Sequence, residues 1–568
     1  MGFFDTHLLN IVIFLPLVFA ALVLLLPAGE SGQIRTVTLL GMLVDLVFGV
    51  WAYVKYVPGG PEFQLEYRVP WFTEFGLSYH IGMDGIAASL LLLTVFLGPL
   101  VVMASTTYIS HRIKEFHLAL LVLQTTMLGA LVSLDVLLFY VFFEAMLIPM
   151  YLLVGVWGAE DRQMAAVKFF LYTLFGSLLM LVAIVALYFL SGPAGSRSFD
   201  YASIYNALLG ANQELARCTA AGTCDTVTGL ARTLHTWGPV MFAAFALAFA
   251  IKVPMWPVHT WLPDAHVQAP VAGSMILAGV MLKMGTFGFW RFAIPLFPVA
   301  TQQARPLLAT LSVVGIVYGA LMCLAQRDIK KLIAYSSVSH LGYCMLGMLA
   351  LTAEGATGSA YQMLNHGVST GALFLLFGFL YERRHTRLMA DFGGIAKVMP
   401  VYTASFLIIT FSSVAVPGTN GFVGEFLVLL GTFKSNLGTI FGVLAALGVI
   451  LGAAYMLWMV QKVFFGSLTH RENQFLPDMN LREFATVAPF LALVLVMGLQ
   501  PQPFLDRIEP STNRFIARAS VGTPGATPDA SQLPIEVMSL PTETAAAPSA
   551  PSSALAVVPA AALPSPRQ

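Results

Sequence analysis

Apolar residues run along this chain in blocks of about twenty, separated by short polar segments, which is the length of helix that crosses a bilayer. Membrane β-strands would alternate apolar and polar positions, and these blocks do not, so helices are predicted throughout. Spans are predicted at 8–26, 37–54, 84–109, 117–132, 136–156 and 165–190, then a seventh beginning near Gly238 and an eighth at 271–290. Six more follow at 307–325, 332–351, 361–380, 401–430, 440–464 and 484–499, which makes fourteen. A polar, aromatic loop is expected at 55–83, and the longest internal loop at 191–237.

Two spans break the pattern. The seventh is interrupted by Lys252-Val253-Pro254-Met255-Trp256-Pro257-Val258-His259. Pro254 and Pro257 lack an N–H, and their rings crowd the carbonyls four residues back, on Ala250 and Val253. A lysine at the bilayer centre costs about 2.5–3.5 kcal/mol on insertion scales, so it is a functional candidate by default. The twelfth span is interrupted between Ser412 and Gly421 and carries Glu425. Matching broken helices point to an ion or substrate site, and irregular backbone at that depth must be buried or line a wet cavity. Their spacing of five spans implies two repeats of opposite topology. The expected fold is therefore an all-α polytopic bundle with two inverted five-helix repeats, each containing a broken helix. The expected layout is 1–116 for spans one to three, 117–293 for the first repeat, 305–466 for the second and 483–500 for the last span. A Pro/Ala-rich tail, expected to be disordered, covers 510–568.

Composition agrees: 58% of residues are hydrophobic, 10% are charged and the mean hydropathy is +0.79. A formal net charge of zero suggests no nucleic-acid partner. Asp5 and His7 stand where a cleaved signal would be basic, so the first span reads as retained. Basic residues gather after odd-numbered spans, at Arg35, Arg112, Lys114, Arg162, Lys168, Arg327, Lys330, Lys331, Arg383, Arg384, Arg387, Lys462, Arg471 and Arg482. By the positive-inside rule both termini lie outside. Cys218 and Cys224 then lie in an outer loop, either as free thiols or as a disulfide, while Cys323 and Cys344 fall in apolar runs.

The charged residues inside spans define the candidate chemistry. Glu144 lies mid-span beside Phe142 and Phe143, and a Glu144–Lys252 ion pair is the cheapest arrangement that explains both. Such a pair is either a proton switch or a static register lock. Lys283 sits inside the eighth span. Ser336, His340 and Tyr343 form one polar stripe on the tenth span, and His366, Ser369 and Thr370 form another on the eleventh. Histidine passes a proton through either ring nitrogen, although each of these also fits a hydrogen-bonded core residue. His259 and His266 either border a proton route or sit in a structured loop. Glu425 is either an exit group or the cap of the half-helix after Gly421, and Asp135 reads as an interfacial cap. No GxGxxG follows a strand, no GxxxxGK[ST] occurs, and no cysteine set suits an iron–sulfur cluster, so no cofactor or metal is expected in this chain.

Three segments resemble the antiporter-like subunits of respiratory complex I, relatives of Mrp-type sodium/proton antiporter subunits and of membrane subunits of some hydrogenases. They are Lys252 to Pro270 (KVPMWPVHTWLPDAHVQAP), Ser336 to Tyr343 (SSVSHLGY) and Asn420 to Phe426 (NGFVGEF). The resemblance implies that Glu144, Lys252, Lys283, His340, His366 and Glu425 form a proton relay. It also implies a bacterial cytoplasmic membrane location with periplasmic termini. NADH oxidation on FMN and iron–sulfur clusters, and quinone reduction, would fall to partner subunits. Glutamate at position 425 fits the M branch (chain 4 in mitochondria), with sister subunits L and N as neighbours. The alternatives are an Mrp-type cation/proton antiporter subunit and a non-pumping membrane scaffold.

Overall fold

The computed structural model describes residues 2–523 and 528–538. Its helices, in order, are α1 (Phe3–Leu25), α2 (Ser31–Lys55), α3 (Gly85–Tyr108), α4 (Ile113–Val132), α5 (Val136–Ala145), α6 (Leu147–Trp157), α7 (Arg162–Leu190) and α8 (Tyr201–Ala221). Then come α9 (Gly229–Lys252), α10 (Trp261–Gln268), α11 (Val271–Ile276), α12 (Leu282–Gly288), α13 (Ile294–Leu296), α14 (Pro298–Ala325), α15 (Ile329–Ala350) and α16 (Ala353–Arg384). The last are α17 (Pro400–Ser413), α18 (Asn420–Lys434), α19 (Thr439–Phe464), α20 (Leu481–Leu499) and α21 (Gln502–Ser520).

Among the described residues, 13 helices or helix runs are long and apolar enough to cross a membrane, α5–α6 and α11–α13 each counting as one. The predicted twelfth span is divided between α17 and α18, neither of which qualifies alone. Burial separates the spans. Val271–Leu296 and α16 are enclosed on all sides, and α15 nearly so, whereas α1, α2, α7, α19 and α20 leave broad apolar faces uncovered. Of the candidate relay residues, Lys283, His340 and His366 ride on these enclosed helices, where a polar group finds partners away from lipid.

Three segments differ from expectation. The predicted loop at 55–83 contains an antiparallel hairpin of β1 (Gln64–Phe72) and β2 (Leu77–Met83). The predicted loop at 191–237 holds α8, and Cys218 and Cys224 are joined as a disulfide. The tail expected from Pro510 onward is corrected at its start: α21 continues through Pro510 to Ser520 and buries Ile508, Thr512, Phe515 and Arg518 against α3 and α16. Its Leu505, Ile508, Thr512 and Phe515 share one helix face, so packing recovers more than the internal proline costs. Leu533 and Ile535 are buried too, while 524–527 and 539–568 lie outside the described residues.

Candidate proton-relay axis

Lys252 is the last residue of α9, and the chain leaves the helix immediately after it. The carbonyl that Pro254 denies a partner, on Ala250, accepts instead from the Met255 N–H at 2.8 Å, and the Ile251 carbonyl accepts from the Trp261 indole N–H at 2.9 Å. The break is thus repaired in its backbone. The Lys252 side chain is not. Its Nζ is buried without a hydrogen-bond partner and lies 4.3 Å from the centre of the Phe143 ring.

That geometry corrects the expected Glu144–Lys252 ion pair. Glu144 sits one residue beyond Phe143 near the end of α5, half-buried, with Tyr140 and Ser177 beside it and Oε1 unpartnered. The two charged groups feel each other but do not touch; the aromatic ring takes the place of the carboxylate under the lysine. A ring face attracts a cation without holding it as a bidentate carboxylate does.

Lys283 opens the second part of the site. The run from Val271 to Leu296 contains two π-helical turns, Leu277–Met281 and Phe289–Ala293, on either side of α12. Wider turns release carbonyls from the α-helical ladder, and the Ala278 carbonyl accepts from Lys283 Nζ. The same Nζ is 2.6 Å from Nδ1 of His366 on α16. The two helices meet this closely because Gly367 faces the Gly279 carbonyl, which a methyl group there would approach to 2.8 Å.

From His366 the polar groups continue. The His366 and His340 rings are 5.9 Å apart between centroids. Nδ1 of His340 lies 2.9 Å from Oε1 of Glu425, which also accepts from the Gln362 amide at 3.0 Å. Gln362 in turn accepts from Asn365 at 3.0 Å. The hydroxyls of Ser413 and Tyr455 approach His340 Nε2 at 3.5 and 3.4 Å. Gly424 lets α18 press against α16 where Gln362 and Asn365 project. Of the two roles open to Glu425, the geometry favours a buried member of the line over a helix cap.

Four of the six predicted residues, Lys283, His366, His340 and Glu425, therefore form one buried line, and Glu144 and Lys252 form a separate, loosely held end. His266 is wholly buried, stacked on Phe374 at 4.6 Å, and neither ring nitrogen has a partner. Lys330, expected as a surface basic residue, is buried and donates to the Ala269 carbonyl at 2.5 Å. Missed by the sequence reading were Gln362, which lies one turn before His366 on the same face, and Asp45, a buried acid inside α2 hydrogen-bonded by Gln124 at 3.1 Å. An acid within an apolar block was the available signal for Asp45. Among the described residues no cluster of His, Cys, Asp and Glu could hold a metal ion.

The family model described as NADH:quinone oxidoreductase/Mrp antiporter, TM, matches residues 133–452. The chain belongs to this family. The model for the amino terminus of NADH-ubiquinone oxidoreductase chain 4 matches residues 65–132. NADH-quinone oxidoreductase subunit M of Rhodobacter capsulatus is 44% identical over 526 residues, covering 91% of this chain and 98% of the relative. NADH-ubiquinone oxidoreductase chain 4 of Marchantia polymorpha is 37% identical over 505 residues, covering 89% and 96%. Among solved structures, a chain of respiratory complex I from Thermus thermophilus matches with TM-score 0.76 and 34% identity, covering 90% of this chain and 99% of that one. A chain of the Mrp complex from Dietzia sp. DQ12-45-1b shares the fold, with TM-score 0.75 at 19% identity over 92% and 98%. This membership accounts for the antiporter-like architecture, and the matched region includes every candidate relay residue.

Proposed function

We propose that this chain is the proton-translocating subunit M of a bacterial NADH:quinone oxidoreductase and that protons cross it along Lys283, His366, His340 and Glu425. The buried line of side chains from Lys283 to Glu425 carries the reading. A proton on Lys283 Nζ passes to His366 Nδ1, and the imidazole then releases its other proton from Nε2 towards His340. His340 repeats the exchange, accepting at Nε2 beside Ser413 and Tyr455 and delivering from Nδ1 to Glu425. Glu144 and Lys252 form the coupling end. Drawn together they hold each other's charge; separated, with Lys252 on the Phe143 ring, they free the lysine to repel or release a proton at the axis.

The chain contributes to catalysis as part of the complex, without a redox centre of its own. FMN, iron–sulfur clusters and quinone belong to partner subunits, and subunits L and N are the membrane neighbours. The membrane is the bacterial inner membrane, with both termini, the hairpin and the Cys218–Cys224 loop periplasmic; an oxidising compartment suits that disulfide.

The test is NADH-driven proton uptake by membrane vesicles carrying Lys283→Ala, with assembly of the complex checked in parallel. Loss of pumping in an assembled complex supports the relay. Wild-type pumping in the assembled variant would sink it and favour a scaffold. Sodium movement that tracks pumping in the wild type would favour the Mrp-type reading.

A further inference from the structure

Where the hairpin meets the bundle, four titratable side chains gather outside the spans. His80 on β2 is buried, with Nδ1 2.6 Å from Asp200 Oδ2 and Nε2 3.4 Å from Glu66 Oε2. An imidazole faces two carboxylates through both nitrogens only when both carry hydrogen, so the ring holds a bound proton. Arg68 approaches the same Asp200 oxygen at 3.8 Å. Asp135 lies alongside and is fully buried. Its Oδ1 accepts from the Leu137 and Leu138 amides, capping α5, and its Oδ2 accepts from the Ser78 amide of the hairpin at 3.2 Å. Asp200 caps α8 through the Ser203 amide at 2.9 Å, and residues 135 and 200 pair across an antiparallel bridge. Two helix caps and one hairpin thus share a single acid–imidazole cluster.

We propose that His80, Glu66, Asp200 and Asp135 form a proton-binding site outside the membrane axis, and that protons bound there clamp the hairpin onto the N-termini of α5 and α8. The charges facing these groups raise His80 and Asp135 and lower Asp200. Burial alone would lower the His80 pKa, but the hydrogen bonds it donates to Asp200 and Glu66 outweigh it and hold the ring above its usual value, with Arg68 opposing. Burial pushes Asp135 up to about 7, against its amide hydrogen bonds and with Asp200 adding to the rise. Burial would also raise Asp200, yet His80 and Arg68 hold it below the usual carboxylate range.

The signs then follow from linkage. The raised His80 contributes stability that is full below its unfolded value of 6.5 and is lost as pH rises through its folded value. The raised Asp135 contributes stability that erodes from 3.8 upward and is gone above about 7. Asp200 loses its contribution only in stronger acid. The clamp therefore loosens as pH rises from the acid side of neutrality to the alkaline side. Glu144 is the penultimate residue of α5, so the site lies at the far end of the helix that bears the coupling acid. On the orientation proposed above, this face meets the compartment that receives the protons; that step rests on the functional reading, and the clamp does not.

Hydrogen–deuterium exchange on the assembled complex tests it, following peptides over residues 76–83 and 133–139 at about pH 6 and about pH 8, each corrected for intrinsic exchange. Every titrating group changes the opening constant by up to about tenfold per pH unit, so protection in these peptides should fall by about tenfold or more at the higher pH while the α16 core stays constant. Asp135→Asn, which keeps the α5 cap but cannot ionise, should lose part of that dependence, and His80→Gln should lose the rest along with the acid-side protection. Equal corrected protection at both pH values in the wild type, which needs no variant to fold, overturns the proposal. So does a full wild-type dependence in both variants.

Discussion

The two broken helices of this chain repair their backbones alike and treat their charges differently. After α9, Met255 N–H closes on the Ala250 carbonyl; after α17, Val416 N–H closes on the Phe411 carbonyl at 3.0 Å. Lys252 and Glu425 are both buried, at 2% and 4% exposure, so desolvation is comparable. Yet Glu425 is held by His340 and Gln362, and Lys252 by nothing stronger than a ring face. A buried polar group left unpaired costs about 1–3 kcal/mol, more when charged. One end of the axis is therefore locked and the other is poised, and a helix break by itself does not decide which.

The largest effect expected is on Lys252. Lys252→Ala should reduce NADH-driven pumping and coupled quinone reductase turnover by about 10²-fold or more, the usual worth of a positioned proton-transfer group. The assembled complex should unfold at an unchanged or slightly higher temperature, because an unpaired buried amine has been removed. A clear drop in thermal stability would mean that Lys252 is better satisfied than its surroundings indicate, and the contrast would fail.

Glu425→Ala should behave in the opposite way on stability. It strands the Gln362 amide and the His340 ring, and the cost should be about 1–3 kcal/mol, read as a lower unfolding temperature of the detergent-solubilised complex together with lost pumping. Glu425→Gln keeps an acceptor for Gln362 and should recover most of the stability but not the pumping. Equal pumping in the Gln variant would remove Glu425 from the relay.

A double-mutant cycle sharpens the same point. His340→Ala and Glu425→Ala should couple by roughly 0.5–3 kcal/mol in stability, as contacting residues in one network do. Glu144→Ala and Lys252→Ala should couple by less, since no direct contact joins them. A larger coupling for the second pair would place the ion pair in the resting protein.

How much of this was legible along the chain depends on what kind of signal each part carries. The spans follow from apolar blocks, and Lys252, Lys283 and Glu425 stand out as charges within them, because a membrane leaves little other reason to keep them. The pairing between such residues is a different matter. Adjacent positions 143 and 144 both face the end of α9, and whether the ring or the carboxylate meets Lys252 is a matter of angstroms that spacing does not encode. The π-helical turns that free the Ala278 carbonyl have no signature in an apolar run. Two of the differences do carry a signal in the sequence. Leu65, Tyr67, Val69 and Trp71 alternate with Glu66, Arg68 and Pro70 along β1, a period of two inside a segment whose composition predicts a loop. In α21, Pro510 sits inside an amphipathic helix, where the composition alone reads as the start of a tail.

The smallest effect expected bears most directly on the poised end. Phe143→Leu leaves an apolar side chain in place while removing the ring face under Lys252, and a cation–π contact of this kind is worth about 0.5–2 kcal/mol. Two destinations are then open to the lysine. It can move to Glu144, the acid whose charge it feels, and become the ion pair that the resting protein lacks; or it can stay unpaired at higher energy. Pumping per NADH oxidised separates them. A lysine captured by Glu144 should slow turnover several-fold and raise the Glu144–Lys252 coupling in a stability cycle run in the Phe143→Leu background, whereas a lysine left free should make the single variant faster or leave it unchanged. Slow turnover together with that raised coupling would identify the Phe143 ring as the part that keeps the pair apart.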